Sequence, residues 1–303
     1  MNLWTPDIVV LGPGGAKGIL FVGALERLFE EKISQDVTFL DNVKTWVGVS
    51  VGASICLMLV AGYTIEEINE ICVDLNLIDD IMKINLDEAR QKLGLIRNKT
   101  IEEKLRTYIS LKFGYIPSLA QLYMLSGVKL SLVTFNLDKM RPEFLDKDTE
   151  PELSCVEAAM MSMAVPILMQ PRKYKGLIYV DGAIGAPYPV LTFDHDENKV
   201  LGIYISSEED LYCSDKKPAN FFYRLIQASM TVLRNIEIKY SSKNVKHIPI
   251  KTLIRDTTGI SIDKDSRQMM IEQGYKCADA FLKINSNPDK YKLLLSENEE
   301  IPF

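Results

Sequence analysis

The sequence predicts an α/β fold: a parallel-type central sheet flanked by helices, with a helical insertion between two chemistry-bearing turns. Two observations carry this. A short β-branched run passes through a glycine-rich turn into an apolar helix, and about 35 residues later the same strand–turn–helix pattern recurs. Beyond the second helix, further strand-like runs alternate with helical stretches, as a doubly covered sheet requires.

The elements follow in order. Asp7-Ile8-Val9-Val10-Leu11, bounded by Pro6 and Gly12, reads as a buried strand. Gly12, Gly14, Gly15 and Gly18 then break the chain before a helical stretch from Ile19 to about Glu31. Trp46-Val47-Gly48-Val49 is the second strand, running through Ser50-Val51-Gly52 into a helix from Ala53 to Ala61 that Gly62 closes. Thr64 to about Leu125 reads as mainly helical, opened by the capping-box pattern Thr64-Ile65-Glu66-Glu67. Lys129–Phe135, Leu177–Val180 and Val200–Ser206 are predicted strands; Pro151–Met163 and Asp265–Leu282 are predicted helices. Both glycine-rich turns fall at the carboxyl edge of the sheet, where ligands of such folds bind.

Composition narrows the function. With 47% apolar residues in 303, a large core is available. A net charge of −6 argues against a nucleic-acid binder and against attachment to anionic membranes by basic patches. The five cysteines (Cys56, Cys72, Cys155, Cys213, Cys277) are odd in number and scattered, which fits neither a disulfide framework nor a zinc site. The first residues lack the layout of a signal peptide, and no apolar run reaches the ~20 residues of a membrane span. The expectation is a cytoplasmic protein, with peripheral membrane contact left open, that uses no cofactor or metal ion.

Three motifs carry chemistry. Gly48-Val49-Ser50-Val51-Gly52 places a serine on a strand-to-helix turn, its hydroxyl exposed at a helix N-terminus and its flanking glycines letting strand and helix approach. Gly12-Pro13-Gly14-Gly15-Ala16-Lys17-Gly18 suits an anion-binding nest of backbone N–H groups. It matches neither a P-loop nor a dinucleotide loop, since the lysine and the third glycine are out of frame. Asp181-Gly182-Ala183 ends a strand, where an aspartate is ordinarily a turn residue.

Together the three motifs resemble the patatin-like phospholipase family, which is related in fold to the catalytic domain of cytosolic phospholipase A2. Ala61–Glu67, Ala158–Pro166 and Glu272–Ala278 extend the likeness. The resemblance implies a patatin-like acyl hydrolase domain over residues 7–282 followed by a C-terminal tail, 283–303. It implies a Ser–Asp dyad of Ser50 and Asp181, an oxyanion hole from the N–H groups of Gly14, Gly15 and Ala16, and Lys17 on the loop or the substrate. An acyl lipid would be the substrate. Pro13 stands where the family has a glycine and has no N–H to donate; Ala186 and Pro187 stand where it often has asparagines.

Two alternatives stay open. A Ser50–Asp181–His247 triad is formally available, although His195 sits in a polar turn and His247 at a strand start. The chain is otherwise a degenerate member that only binds lipid or a partner. Lipid contact has two candidate segments, each readable also as core: the methionine-rich run Met160–Met169, and a stripe of Phe222, Leu225, Ile226, Ser229, Leu233, Ile236 and Tyr240.

Overall fold

The computed structural model describes residues 4–74, 98–206, 218–251 and 264–286. Strand β1 (Ile8–Leu11) leads through a short 3-10 turn, Gly15–Gly18, into α1 (Ile19–Glu30). A small hairpin, β2 (Lys32–Ser34) and β3 (Val37–Thr38), precedes β4 (Thr45–Val49) and α2 (Val51–Val60). Helices α3 (Ile65–Asp74), α4 (Asn98–Phe113) and α5 (Leu119–Ser126) form the expected helical insertion; residues 75–97 of that reading lie outside the described residues. The capping box is present: the Glu67 N–H donates to the Thr64 hydroxyl at 3.2 Å, and the Thr64 N–H to the Glu67 carboxylate at 2.8 Å.

There follow β5 (Lys129–Asn136), β6 (Arg141–Leu145), α6 (Cys155–Ser162), β7 (Arg172–Tyr174), β8 (Leu177–Asp181), β9 (Val200–Ser206), α7 (Pro218–Tyr240), β10 (Val245–Lys251) and α8 (Lys264–Ser286). Helix α6 starts four residues later than predicted, because the Ser154 side chain caps it by accepting the Glu157 N–H. Helix α8 runs through Ser286, so the first four residues assigned to the tail are helical.

Among the described residues the sheet has eight strands, of which β10, β9, β1, β4 and β5 lie side by side and parallel. Alternation along β1 serves both faces: Val9 and Leu11 join one apolar cluster, with α1, α2, α6 and α8, while Ile8 and Val10 join the other, against which Met230 and Ile238 of α7 pack. Helices α1 and α8 cross so closely that a Cβ on Gly274 would fall 1.9 Å from the Leu20 carbonyl oxygen. That contact gives the Glu272–Ala278 likeness a structural meaning.

The antiparallel strands position the site. Leu132 and Val133 of β5 pair with both β4 and β6, so those two strands lie on opposite edges of β5. Residues 134–136 pair with both β6 and β8. Strands β4 and β8 therefore share one edge and meet end to end, running toward each other. Val49 pairs with Val133, and the next residue of β5, Thr134, pairs with Asp181. Asp181 thus occupies the place that Ser50 would take if β4 continued.

Candidate active site

Ser50 leaves the sheet with φ 57° and ψ −125°, a conformation that costs a non-glycine residue roughly 1–3 kcal/mol. Its surroundings hold it there. The Ser50 carbonyl accepts the Ala53 N–H at 2.9 Å, starting α2, and its own N–H donates to the Ser162 hydroxyl at 3.1 Å. The flanking glycines are required by contact: a Cβ on Gly48 would lie 2.5 Å from Ala53 Cα, and one on Gly52 would lie 2.5 Å from the Leu11 oxygen and 2.8 Å from the Gly12 oxygen. The serine turn is thereby seated on the backbone of the glycine-rich loop.

That loop is fixed from its own side. Gly12 donates to the Ile203 carbonyl of β9 at 3.1 Å, and the Lys17 N–H closes on the Gly14 carbonyl at 3.0 Å. Gly15 takes φ +54°, where glycine pays no Cβ penalty. A Cβ on Gly18 would meet Val51 at 2.5 Å, a second contact between the two turns. Gly14 and Gly15 line a pocket with Ser50 and Asp181. Ala16 does not line it; its side chain packs on the hydrophobic core. Lys17 is buried and lines the same pocket.

Asp181 is 2% exposed. Its N–H donates to the Ala164 carbonyl at 2.9 Å, and its Oδ1 accepts the Ala183 N–H at 2.8 Å. The second oxygen, Oδ2, is buried without a well-formed hydrogen bond, although the Ser50 hydroxyl lies near enough to stabilise the charged form. Burial dominates and pushes the carboxyl up from 3.8 to about 7; the Ser50 hydroxyl and the Ala183 N–H only partly offset it. Such a group changes charge near neutrality, as a general base should.

The stretch Ala158–Pro166, part of the wider family likeness, holds both residues. Ser162 accepts from Ser50, Ala164 accepts from Asp181, and the Thr134 hydroxyl, level with both, donates to the Val180 carbonyl at 2.9 Å. The signal for Ser162 was a lone hydroxyl inside a methionine-rich run. Met160, Met161, Met163 and Met169 themselves are core, while Val165, Pro166 and Leu168 form pocket wall.

The histidines lie elsewhere. His247 on β10 is level with Val47 through Gly202 and Val10, three strand spacings or about 14 Å across the sheet. Both its ring nitrogens are engaged, by the Tyr188 hydroxyl at 2.8 Å and the Ser241 hydroxyl at 3.0 Å. Burial lowers its pKa to about 4. His195 is largely exposed beside Asp196. The geometry does not assemble the triad.

The α7 stripe divides: Ile226 lines the pocket and Leu233 is half-buried, whereas Leu225, Ser229, Ile236 and Tyr240 are exposed; the Phe222 side chain lies outside the described residues. Off the stripe, Met230 and Arg234 also line the pocket. Sequence reasoning had missed Arg234, a charge next in sequence to Leu233 of that stripe. Cys56 and Cys155 are buried free thiols, and Cys72 and Cys277 are half-buried; Cys213 lies outside the described residues. Among the described residues no three His, Cys, Asp or Glu side chains cluster as metal ligands, and no helix is long and apolar enough to cross a membrane.

A mixed, mainly parallel sheet, a serine on a strained strand-to-helix turn and a buried aspartate facing it define a patatin-like fold. The chain belongs to the patatin-like phospholipase family, whose model matches residues 9–194, a span that includes Ser50 and Asp181. It is 28% identical over 268 residues to the uncharacterized protein R571 of Acanthamoeba polyphaga mimivirus, covering 86% of this chain and 87% of that one. A protein of Invertebrate iridescent virus 6 named "Probable lipid hydrolase 463L" is 25% identical over 236 residues, 75% of this chain and 78% of its own. Among solved structures, VipD from Legionella pneumophila superposes with a TM-score of 0.58 at 18% identity, over 92% of this chain and 67% of VipD. The type III effector ExoU does so at 0.51 and 16%, over 92% of this chain and about half (53%) of ExoU.

Proposed function

We propose that the chain is a lipid acyl hydrolase of the phospholipase A type, with Ser50 as nucleophile and Asp181 as its proton acceptor. The observation that carries this reading is the end-to-end meeting of β4 and β8, which sets a strained, buried serine against a carboxylate whose pKa is raised to about 7. Family membership and the lipid hydrolase name of the iridovirus relative support the substrate class.

In this mechanism the Ser50 oxygen bonds to the acyl carbonyl carbon while its proton passes to Asp181. The tetrahedral intermediate collapses, the ester C–O bond breaks, and the departing alkoxide takes the proton from Asp181. Water then gives a proton to Asp181 and attacks the acyl-serine; the fatty acid leaves and Ser50 recovers its proton. The N–H groups of Gly14 and Gly15 are the proposed oxyanion donors, a contribution of ~3 kcal/mol each. Ala16 follows them on the same loop as the third proposed donor, its side chain packed on the core. Lys17 is proposed to orient the loop or the substrate from the same wall.

Purified protein assayed on a panel of phospholipids, galactolipids and triacylglycerols, beside Ser50→Ala and Asp181→Asn, tests the reading. The parent should release fatty acid, Ser50→Ala none, and Asp181→Asn should be slowed by ~10²–10⁴-fold. Fatty-acid release by Ser50→Ala at the parental rate would sink it.

A further inference from the structure

Part of the pocket wall is one face of α7, which includes a cation, Arg234. Arg234 donates from Nη1 to the Ile205 carbonyl at 3.0 Å, and its guanidinium stacks 4.9 Å from the centre of the Tyr204 ring. Its Nε is buried and has no hydrogen-bond partner among the described residues. No carboxylate among the described residues pairs with it. The nearest acid on its own helix, Glu237, is committed to the Leu191 N–H at 2.8 Å.

Arg172 of the same chain shows what that guanidinium edge ordinarily holds. It addresses Glu157 with Nε and Nη2 together, the side-on fork that fits two oxygens of one anion. Arg234 lines the pocket that holds Ser50 and Asp181, its Nε unpartnered and no carboxylate among the described residues on its guanidinium. Burying a charge without a partner is costly, and desolvation weakens its hold on the proton. A fold pays that cost where a ligand supplies the counter-charge.

We propose that Arg234 is a specificity-determining residue which binds the phosphodiester of a phospholipid headgroup and so favours phospholipids over neutral acyl esters. This rests on the hydrolase reading above and goes beyond it by assigning the headgroup to a residue of α7. On binding, the guanidinium turns from its seat over Tyr204 to present Nε and Nη2 to two phosphate oxygens. Lysine offers only a point charge, so it replaces the fork in part.

Two measurements test the assignment. The first compares kcat/KM on a monomeric short-chain phosphatidylcholine with that on the diacylglycerol carrying the same acyl chains. Arg234→Gln should lower the ratio of the two by ~10–100-fold, as expected from losing a bidentate charge-assisted pair, and Arg234→Lys should restore part of it. An unchanged ratio overturns the proposal, as does an equal fall on both substrates, which is the mark of a structural role. The second measures binding of the non-hydrolysable diether analogue of that phospholipid, and of inorganic phosphate, to Ser50→Ala protein by calorimetry. Diether binding that is lost on adding Arg234→Gln supports the site even if no ester is ever hydrolysed, so the two readings fail separately. Inorganic phosphate binding as tightly as the diether would overturn the headgroup assignment.

Discussion

The backbone N–H of Ser50 donates to the hydroxyl of Ser162, a residue on another helix and more than a hundred positions away. Ser162 is fully buried, and that N–H belongs to the most strained residue of the pocket. Removing the hydroxyl leaves a buried donor unpaired, at a cost of ~1–3 kcal/mol. Ser162→Ala should therefore lower the urea midpoint and slow turnover about tenfold through misplacement of Ser50. Parental values for both would show that the elbow is held without it.

The Asp181 carboxyl governs two pH dependences. Under the proposed dyad, hydrolysis of a soluble ester needs it ionised, so kcat/KM should rise with pH through about 7 and flatten above. A flat profile from pH 5.5 to 8.5 would contradict this.

Stability should run the other way. A carboxyl whose pKa is higher folded than unfolded binds its proton more tightly in the native state, so the fold loses stability as pH climbs from about 4 to about 7. The rise from 3.8 to about 7 sets a ceiling of about 4 kcal/mol on that loss. Asp181→Asn should melt higher than the parent at pH 8, and the difference should vanish toward pH 4. Equal melting temperatures at pH 8 would show that the buried charge is not destabilising.

Strain at Ser50 separates two inactive variants. Alanine keeps the unfavourable positive φ, whereas glycine adopts it freely. Ser50→Gly should be more stable than Ser50→Ala by about 1 kcal/mol in urea denaturation, reversing the usual order of the two residues.

His247 is neutral at pH 7 and tied to Tyr188 and Ser241. His247→Gln should cost ~1–2 kcal/mol of stability yet keep turnover within about fivefold, and His195→Gln should change neither. A folded but inactive His247→Gln, beside an Asp181→Asn that is only mildly slowed, would restore the triad and remove the dyad.

The exposed side of α7 is a candidate surface for the lipid contact that the sequence left open. Leu225, Ile236 and Tyr240 stand 45–65% exposed on the helix whose other side lines the pocket. Leu225→Glu with Ile236→Glu should lower hydrolysis of vesicle lipid at least tenfold while monomeric substrate is turned over as before. Equal loss on both substrates would place those residues in the fold instead.

Much of this was legible in the residues. β1, β4 and β9 are β-branched runs buried on both faces, and their bounds were read to within a residue. β7, Arg-Lys-Tyr, and β6, which carries Pro142, lack the alternation that reveals a strand, because each is short and pairs at the sheet's margin. The motifs marked Ser50 and Asp181, and the structure brings them into one pocket. What sequence does not reveal is how they meet. Register across β5 sets that meeting, and so does Ser162, whose hydroxyl holds the Ser50 N–H from a distant part of the chain.

The meeting of β4 and β8 has a consequence for biosynthesis. A nascent chain displays its serine turn early, yet the residue proposed to accept the proton emerges only after β5 has been made and β8 can dock on the edge that β4 leaves vacant. The reactive hydroxyl is thus disarmed throughout the first half of synthesis, and a product truncated before β8 carries a nucleophile with no base. On this topology the proposed dyad cannot form until 181 of the 303 residues have been made.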